Sequence, residues 1–329
     1  MKRTKRENGV ISPMLWMEIS HAFKKKRGSA ALTLAALSDQ WLEHIRERVK
    51  PATYCKYEGL MRNHILPDLG RETLGDLSRE MIADFARHQR ENGRRNGGAL
   101  SSKTVNDILV ILSLCFEFAE EEFGIAMPKI RYLREERKEA RVLSVAEQTR
   151  LTDHLLQEMD LYKFGALLAL YTGIRIGELC ALQWSDIKEN RLRISKTMQR
   201  LGKNGIHIGA PKSPNSHREV PLPAFLLPWV EQFRRSEGYV LRSGLSEHSE
   251  PRIVQRKFQK MTEQCGLEGV TFHTLRHTFA TRCVEAGFDV KTLSEILGHS
   301  DTKTTLNRYV HSSFALKEHY MSMLSLSMG

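Results

Sequence analysis

Between Thr271 and Tyr309 the chain sets out groups that could act together, among them two imidazoles, a guanidinium and a phenol: His273 and Arg276, then His299 directly after Gly298, then Tyr309. This inventory suits a phosphodiester better than a carbonyl or a sugar. Guanidinium and imidazole groups neutralise and donate to phosphate oxygens, and an activated phenol is a nucleophile. His273 and Arg276, three residues apart, fall on one face of the helix predicted to begin here. His277, four residues after His273, raises a metal reading. The zinc-protease pattern needs Glu directly after the first His, and Thr274 stands there, with no acidic third ligand at useful spacing. We therefore expect no metal and read His277 as a hydrogen-bonded structural histidine. His299 follows a C-cap glycine at the end of a predicted helix over Val290–Leu297, where a histidine also favours the helix dipole. Tyr309 is one of eight tyrosines. It gains weight only by following a predicted helix over Asp301–Arg308.

The partners such a site needs lie upstream. Arg175 stands just after Gly173, at the start of a helix in apolar surroundings, where an arginine requires an anion or hydrogen-bonding partners. Glu178, three residues on, is the obvious internal partner. We expect Glu178 to orient Arg175 and the guanidinium fork to face a phosphate. Lys212 lies in a turn between two strands, where a lysine is ordinarily solvated surface. Arg218 has the same ordinary reading, plus a structural role holding its strand, and is also a candidate DNA contact.

The elements that must carry these residues follow from composition and periodicity. The 329 residues are enough for two domains, and the net charge of +11 points to a polyanionic partner. Residues 1–29 carry eight Lys/Arg against Glu7 and Glu18, and read as a solvated basic arm or one laid along DNA phosphates. Residues 30–127 read as four or five helices. Leu34, Leu37, Trp41, Leu42 and Ile45 recur at helical spacing. Pro51 opens a second helix that Pro67 stops, Ser78 caps a third, and Ser101 or Ser102 caps a fourth bearing the stripe Val105, Ile108, Leu109, Leu112 and Phe116. This helical region is net acidic, with 12 Lys/Arg against 15 Asp/Glu. Any DNA contact from it must use one basic face, for which Arg94, Arg95 and Lys103 are the candidates. Residues 128–141 are charge-dense with few apolar positions and read as an inter-domain linker. A capping box at Ser144 opens the next domain, residues 142–312. There a strand over 191–197, a turn over Gly202–Gly209 and a closing strand at Glu219 imply a small antiparallel sheet among helices. Five scattered cysteines make neither a disulfide framework nor a thiolate metal site, and no apolar run is long enough to span a membrane. A soluble cytoplasmic protein is the expectation.

Taken in order, Thr-Gly-Ile-Arg175-Ile-Gly-Glu178-Leu, Pro-Lys212-Ser, His273-Thr-Leu-Arg276-His, Leu-Gly-His299-Ser and Tyr309-Val-His resemble the tyrosine recombinase (phage integrase) family, most closely integrases of conjugative transposons and phages. Any one motif is weak; five in order are specific. The resemblance is tight over 142–312 and looser over 30–127. It implies a mainly α protein, with an N-terminal helical SAM-like core-binding domain and a mixed α/β catalytic domain with a small antiparallel sheet. It implies Arg175, Lys212, His273, Arg276, His299 and Tyr309 as catalytic residues, with Glu178 and His277 supporting the site. It implies a 3′-phosphotyrosyl intermediate, no cofactor and no metal, used for integration and excision of a mobile element. The implied partners are duplex DNA sites and a homo-tetramer linked through residues 313–329, whose Leu316, Tyr320 and Met323/Leu324 form an apolar stripe. An accessory excision factor is a further partner it allows for. Many such integrases carry a folded arm-binding domain before the core-binding domain. The 29 residues here are too few for one, so either the protein lacks it or it lies outside this sequence. A type IB topoisomerase shares the same residue logic, and a DNA-binding regulator with an inactive catalytic domain is a reading of a different class. The intact set of six residues argues against the regulator.

Overall fold

The computed structural model describes residues 32–94, 96–135, 140–202, 205–211, 214–244, 246–309 and 321–322, with backbone alone at 214, 304 and 307–309. The chain divides into two compact units, Met1–Arg137 and Lys138–Gly329.

In the first unit, helix α1 (Leu34–Ile45) is started by the Thr33 hydroxyl, which accepts from the backbone N–H of Ala36, and it buries the predicted stripe Leu34, Leu37, Trp41, Leu42 and Ile45. Helix α2 (Pro51–Leu60) does not end at Pro67 as its sequence leads one to expect. It runs on through a π-helical turn, Met61–Ile65, into the short helix α3 (Leu66–Leu69), with Pro67 in the first turn. A proline in the first turn of α3 has no intrahelical N–H to lose, so the helical run continues rather than stopping. Met61 and Ile65, in the π turn, are fully buried. Helix α4 (Arg79–Asn92) is capped by Ser78 and helix α5 (Ser102–Phe123) by Ser101. Helix α5 is the axis of the unit: Val105, Ile108, Leu109, Leu112 and Cys115 are fully buried against the other helices. The charged strip after it is docked as far as residue 135. The Asn106 amide donates to the Leu133 carbonyl (2.9 Å) and the Glu135 carboxylate (2.8 Å), and its oxygen accepts from the Leu133 N–H (2.8 Å). Ile130 and Leu133 pack on the core beside it.

The second unit opens with helix α6 (Val145–Leu156), started by a reciprocal Ser144–Glu147 capping box. Helix α7 (Leu161–Thr172) is apolar on nearly every face and runs through the centre of the core. Helix α8 (Ile176–Ala181) follows. Strands β1 (Ile187–Lys188), β2 (Arg191–Ile194) and β5 (Arg218–Pro221) form one antiparallel sheet in the order β1-β2-β5, with Ile194 opposite Arg218. Strands β3 (Thr197–Arg200) and β4 (Ile206–Gly209) form a separate hairpin. The expected turn over Gly202–Gly209 is therefore shorter, because Ile206–Gly209 pairs with β3. Its Ile-His-Ile core has strand character that the preceding glycines mask in the sequence. Helices α9 (Leu227–Phe233), α10 (Pro251–Gln264), α11 (Phe272–Glu285), α12 (Val290–Leu297) and α13 (Thr302–Tyr309) complete the unit, and α11 packs along α7. Burial pushes the thiols of Cys115, Cys180 and Cys283 up to about 12, which makes them inert packing groups. Among the described residues no helix is long and apolar enough to cross a membrane.

Candidate active site

The centre of the second unit is built around two helix ends. Helix α7 stops at Gly173 in the left-handed region (φ 66°). A Cβ there would come within 2.5 Å of the Phe279 ring and 2.9 Å of Leu297, so both the backbone conformation and the close approach of α11 and α12 require glycine. The turn delivers Arg175 as the first residue before α8. Its backbone N–H donates to Glu178 Oε2 (2.9 Å) and its guanidinium to Glu178 Oε1 (2.7 Å), so Glu178 grips both ends of the residue it was expected to orient. The Arg175 side chain keeps 36% of its surface exposed while Glu178 keeps 2%, so a partly exposed arginine is held by a buried anchor.

The second end is that of α12, which closes on Gly298 (φ 65°). A helix C-terminus leaves its last carbonyls without intrahelical donors and at the negative pole of the helix dipole. Here the N–H groups of His299 and Gly298 take the Ser294 and Glu295 carbonyls. The next three carbonyls each accept from a different arginine. Ile296 takes Arg218 Nε (2.5 Å), Leu297 takes Arg276 Nη2 (2.7 Å) and Gly298 takes Arg175 Nη2 (3.2 Å). Arg276, 2% exposed, also donates to the Gly173 carbonyl (2.7 Å), tying the two helix ends together. Its Nη2 lies 2.9 Å from His299 Nε2, and His299 Nδ1 lies 2.8 Å from the Thr305 hydroxyl of α13. A guanidinium can only donate, so His299 accepts at Nε2 and carries its proton at Nδ1, toward Thr305.

Glu178 balances this concentration of positive charge. Burial pulls its carboxyl upward, but the hydrogen bonds and charge of Arg218, then the charge of Arg175, outweigh that and hold it below the usual carboxylate range. Arg218 reaches both carboxylate oxygens, at 3.1 and 2.9 Å, and is 6% exposed. Every nitrogen of its fork is bonded inside the protein, which fits the structural role in holding its strand that the sequence also suggests. Nothing in the local sequence points there, because its partners lie 40 and 78 residues away.

His273 and Arg276 share one face of α11 as expected. With Arg175 they line a cleft of ≈ 780 Å³ whose far wall is α10 and the turn after it. His273 is exposed, and its ring meets the buried His277 ring edge-on at 4.4 Å. Among the described residues no three His, Cys, Asp or Glu side chains cluster as metal ligands. Lys212 and Arg95 lie outside the described residues. For Tyr309 the backbone is given, as the last residue of α13, and its side chain lies outside them. Arg94 and Lys103 are exposed in the first unit. Sequence reasoning also missed Thr305, fully buried beside His299, and Asn215, whose amide donates to the carbonyls of His299 (3.5 Å) and Ser300 (3.4 Å).

Residues 141–315 match the phage integrase family and residues 33–88 its N-terminal SAM-like domain. A XerC-like tyrosine recombinase of Caldanaerobacter subterraneus subsp. tengcongensis is 29% identical over 322 residues, covering 85% of this chain and 79% of the relative. The ICEBs1 integrase of Bacillus subtilis is 26% identical over 305 residues, covering 88% and 81%. Among solved structures, the Tn1549 transposon integrase in complex with a circular intermediate DNA has the same fold, with a TM-score of 0.75 at 22% identity over 89% of this chain and 100% of that one. With two helix ends converging on a set of arginines and histidines, and with more than half its length matching one profile, the chain belongs to the phage integrase family of tyrosine recombinases.

Proposed function

We propose that this recombinase cuts and rejoins DNA with Tyr309 as nucleophile and Arg175, Lys212, His273, Arg276 and His299 as the groups that serve it. The phenol oxygen bonds to the scissile phosphorus as the bond to the 5′-oxygen breaks. The strand is left with a 3′-phosphotyrosyl link and a 5′-hydroxyl. His273, exposed on the cleft, accepts the phenol proton, whose ordinary pKa near 10 requires a base at neutral pH. Lys212 protonates the leaving 5′-oxygen. Arg175 and Arg276 neutralise the non-bridging oxygens, work suited to permanently charged, planar forks. His299 completes the set by donating a hydrogen bond to the same oxygens.

The observation that carries this reading is the partly exposed Arg175, with Arg276 and His299 held at the same helix end by backbone carbonyls of α12 or by α13. The two fixed guanidiniums require little reorganisation when phosphate charge develops. Tyr309 stands four residues, one helical turn, after Thr305, the residue that holds His299. The covalent link conserves the phosphodiester's energy, so resealing needs neither nucleotide nor metal. Recombination between two duplexes breaks four strands, and one tyrosine per chain then requires four protomers. We take the DNA-bound form as a homo-tetramer joined through residues 313–329, in the cytoplasm, exchanging the ends of a mobile element, with an accessory factor biasing excision.

The test is a nicked suicide substrate incubated in EDTA and run on denaturing gels. The wild-type protein is expected to yield a covalent adduct and Tyr309→Phe to bind DNA without one. An adduct surviving in Tyr309→Phe, or a wild-type adduct abolished by chelation, overturns the assignment.

A further inference from the structure

Arg218 is the buried cation that the proposed chemistry does not use. Its side chain is 6% exposed. It spans three elements. Both carboxylate oxygens of Glu178 on α8 accept from it, the Ile296 carbonyl at the end of α12 accepts from its Nε, and the Ser216 carbonyl just before β5 accepts at 3.2 Å. Glu178 is therefore shared. Its Oε1 takes both Arg175 Nη1 (2.7 Å) and Arg218 Nη1 (3.1 Å). A buried carboxylate beside only one arginine could swing with it. Clamped from behind by a second, it cannot follow Arg175 outward.

Resting on the reading of Arg175 as a phosphate ligand, we propose that Arg218 is a positioning residue: acting through Glu178 and the α12 terminus, it fixes the direction of the Arg175 fork in the active site. Two links run from Arg218 to Arg175. One passes through the carboxylate of Glu178. The other passes through two carbonyls of the same helix end, Ile296 held by Arg218 and Gly298 held by Arg175. Lysine cannot replace it. A single ammonium offers three donors from one point, whereas the planar fork reaches a carboxylate and two carbonyls at once. Gly298 leaves just enough room: a Cβ there would lie 2.9 Å from Arg218 Nη1 and 3.1 Å from its Cδ.

The experiment measures single-turnover formation of the covalent adduct for Arg218→Lys, Arg175→Lys and the double variant, with DNA affinity and thermal unfolding measured alongside. Arg218→Lys is expected to slow adduct formation about 10- to 100-fold, the scale of a misplaced catalytic group, while DNA affinity stays within about two-fold. A residue that acts through Arg175 has little left to lose once Arg175 is replaced. The double variant should therefore fall within about three-fold of Arg175→Lys, whereas combination with Lys212→Ala should multiply the two losses. Purely structural damage would multiply with both. Multiplicative loss with Arg175→Lys, or full-speed cleavage by Arg218→Lys, overturns the proposal. If Arg218→Lys does not fold, Arg218→Gln, which keeps a donor at the same position without the fork, must show the same pattern with Arg175→Lys. A wild-type protein that forms no adduct removes the reading of the site itself. A wild-type adduct with an equally fast Arg218→Lys removes only the positioning role.

Discussion

The two units bury different things. In the first, the described interior is almost wholly apolar, and its buried polar residues are Ser38, Gln89 and Asn106, none of them charged. In the second, Glu178, Asp186, Arg276 and His277 are buried along with several threonines and serines. The apolar interior is held by area removed from water, about 1.5–3 kcal/mol for each fully buried large side chain, and is indifferent to direction. The polar interior gains little net stability from its ion pairs, since taking charges out of water offsets most of their attraction. It gains direction instead: carbonyls and a carboxylate fix where each guanidinium points. A scaffold can be built the first way. A site that must meet a phosphate at defined angles needs the second.

The contrast is most easily broken at Arg276. Its replacement by alanine should reduce adduct formation about 10³-fold in the suicide-substrate assay, because a preorganised charge is lost where phosphate charge develops. Near-normal cleavage would mean that the buried charge is structural only. Next in size is Leu109→Ala in the first unit, expected to cost about 2–5 kcal/mol in urea unfolding through the cavity it leaves. Adduct formation should then fall only with the folded fraction, and a larger catalytic loss would blur the division between scaffold and site. A smaller effect is expected with pH. Because the folded Glu178 carboxyl lies below its ordinary range, its stabilising contribution is complete above that range and is lost as the pH falls toward the folded value. The Tm difference between wild type and Glu178→Gln should be widest above about pH 5 and close below it. A gap that widens in acid would reverse the assigned direction. The smallest effects belong to Arg94→Ala and Lys103→Ala, exposed on the first unit. If each touches a phosphate, each should weaken DNA binding without regard to sequence and reduce the salt slope by about one. An unchanged slope would leave both as solvated surface.

The same division governs what could be read in advance. The helical stripe of α5, the caps at Ser78, Ser101 and Ser144, and the glycine ends of α7 and α12 are local signals, and the structure places them as expected. Pro67 and the Ile206–Gly209 strand differ from what their sequence leads one to expect because a local breaker is absorbed by a neighbour it does not reveal. For Pro67 that neighbour is a π turn, and for the strand it is β3. The charged strip after α5 reads as linker since its apolar positions are few, yet Asn106 holds it to the helical unit from 27 residues away.

Sequence alone determined which groups the site offers and in what order, because the residue types, their spacing and the glycines that stop each helix are properties of short stretches. Only the tertiary structure decided how those groups are aimed. The Ile296, Leu297 and Gly298 carbonyls find donors 78, 21 and 123 residues away, and Glu178 finds its second arginine 40 residues on. Hydrogen bonds of that reach carry no local signature, since an arginine bound for the interior and one bound for DNA are the same residue until the chain closes around them.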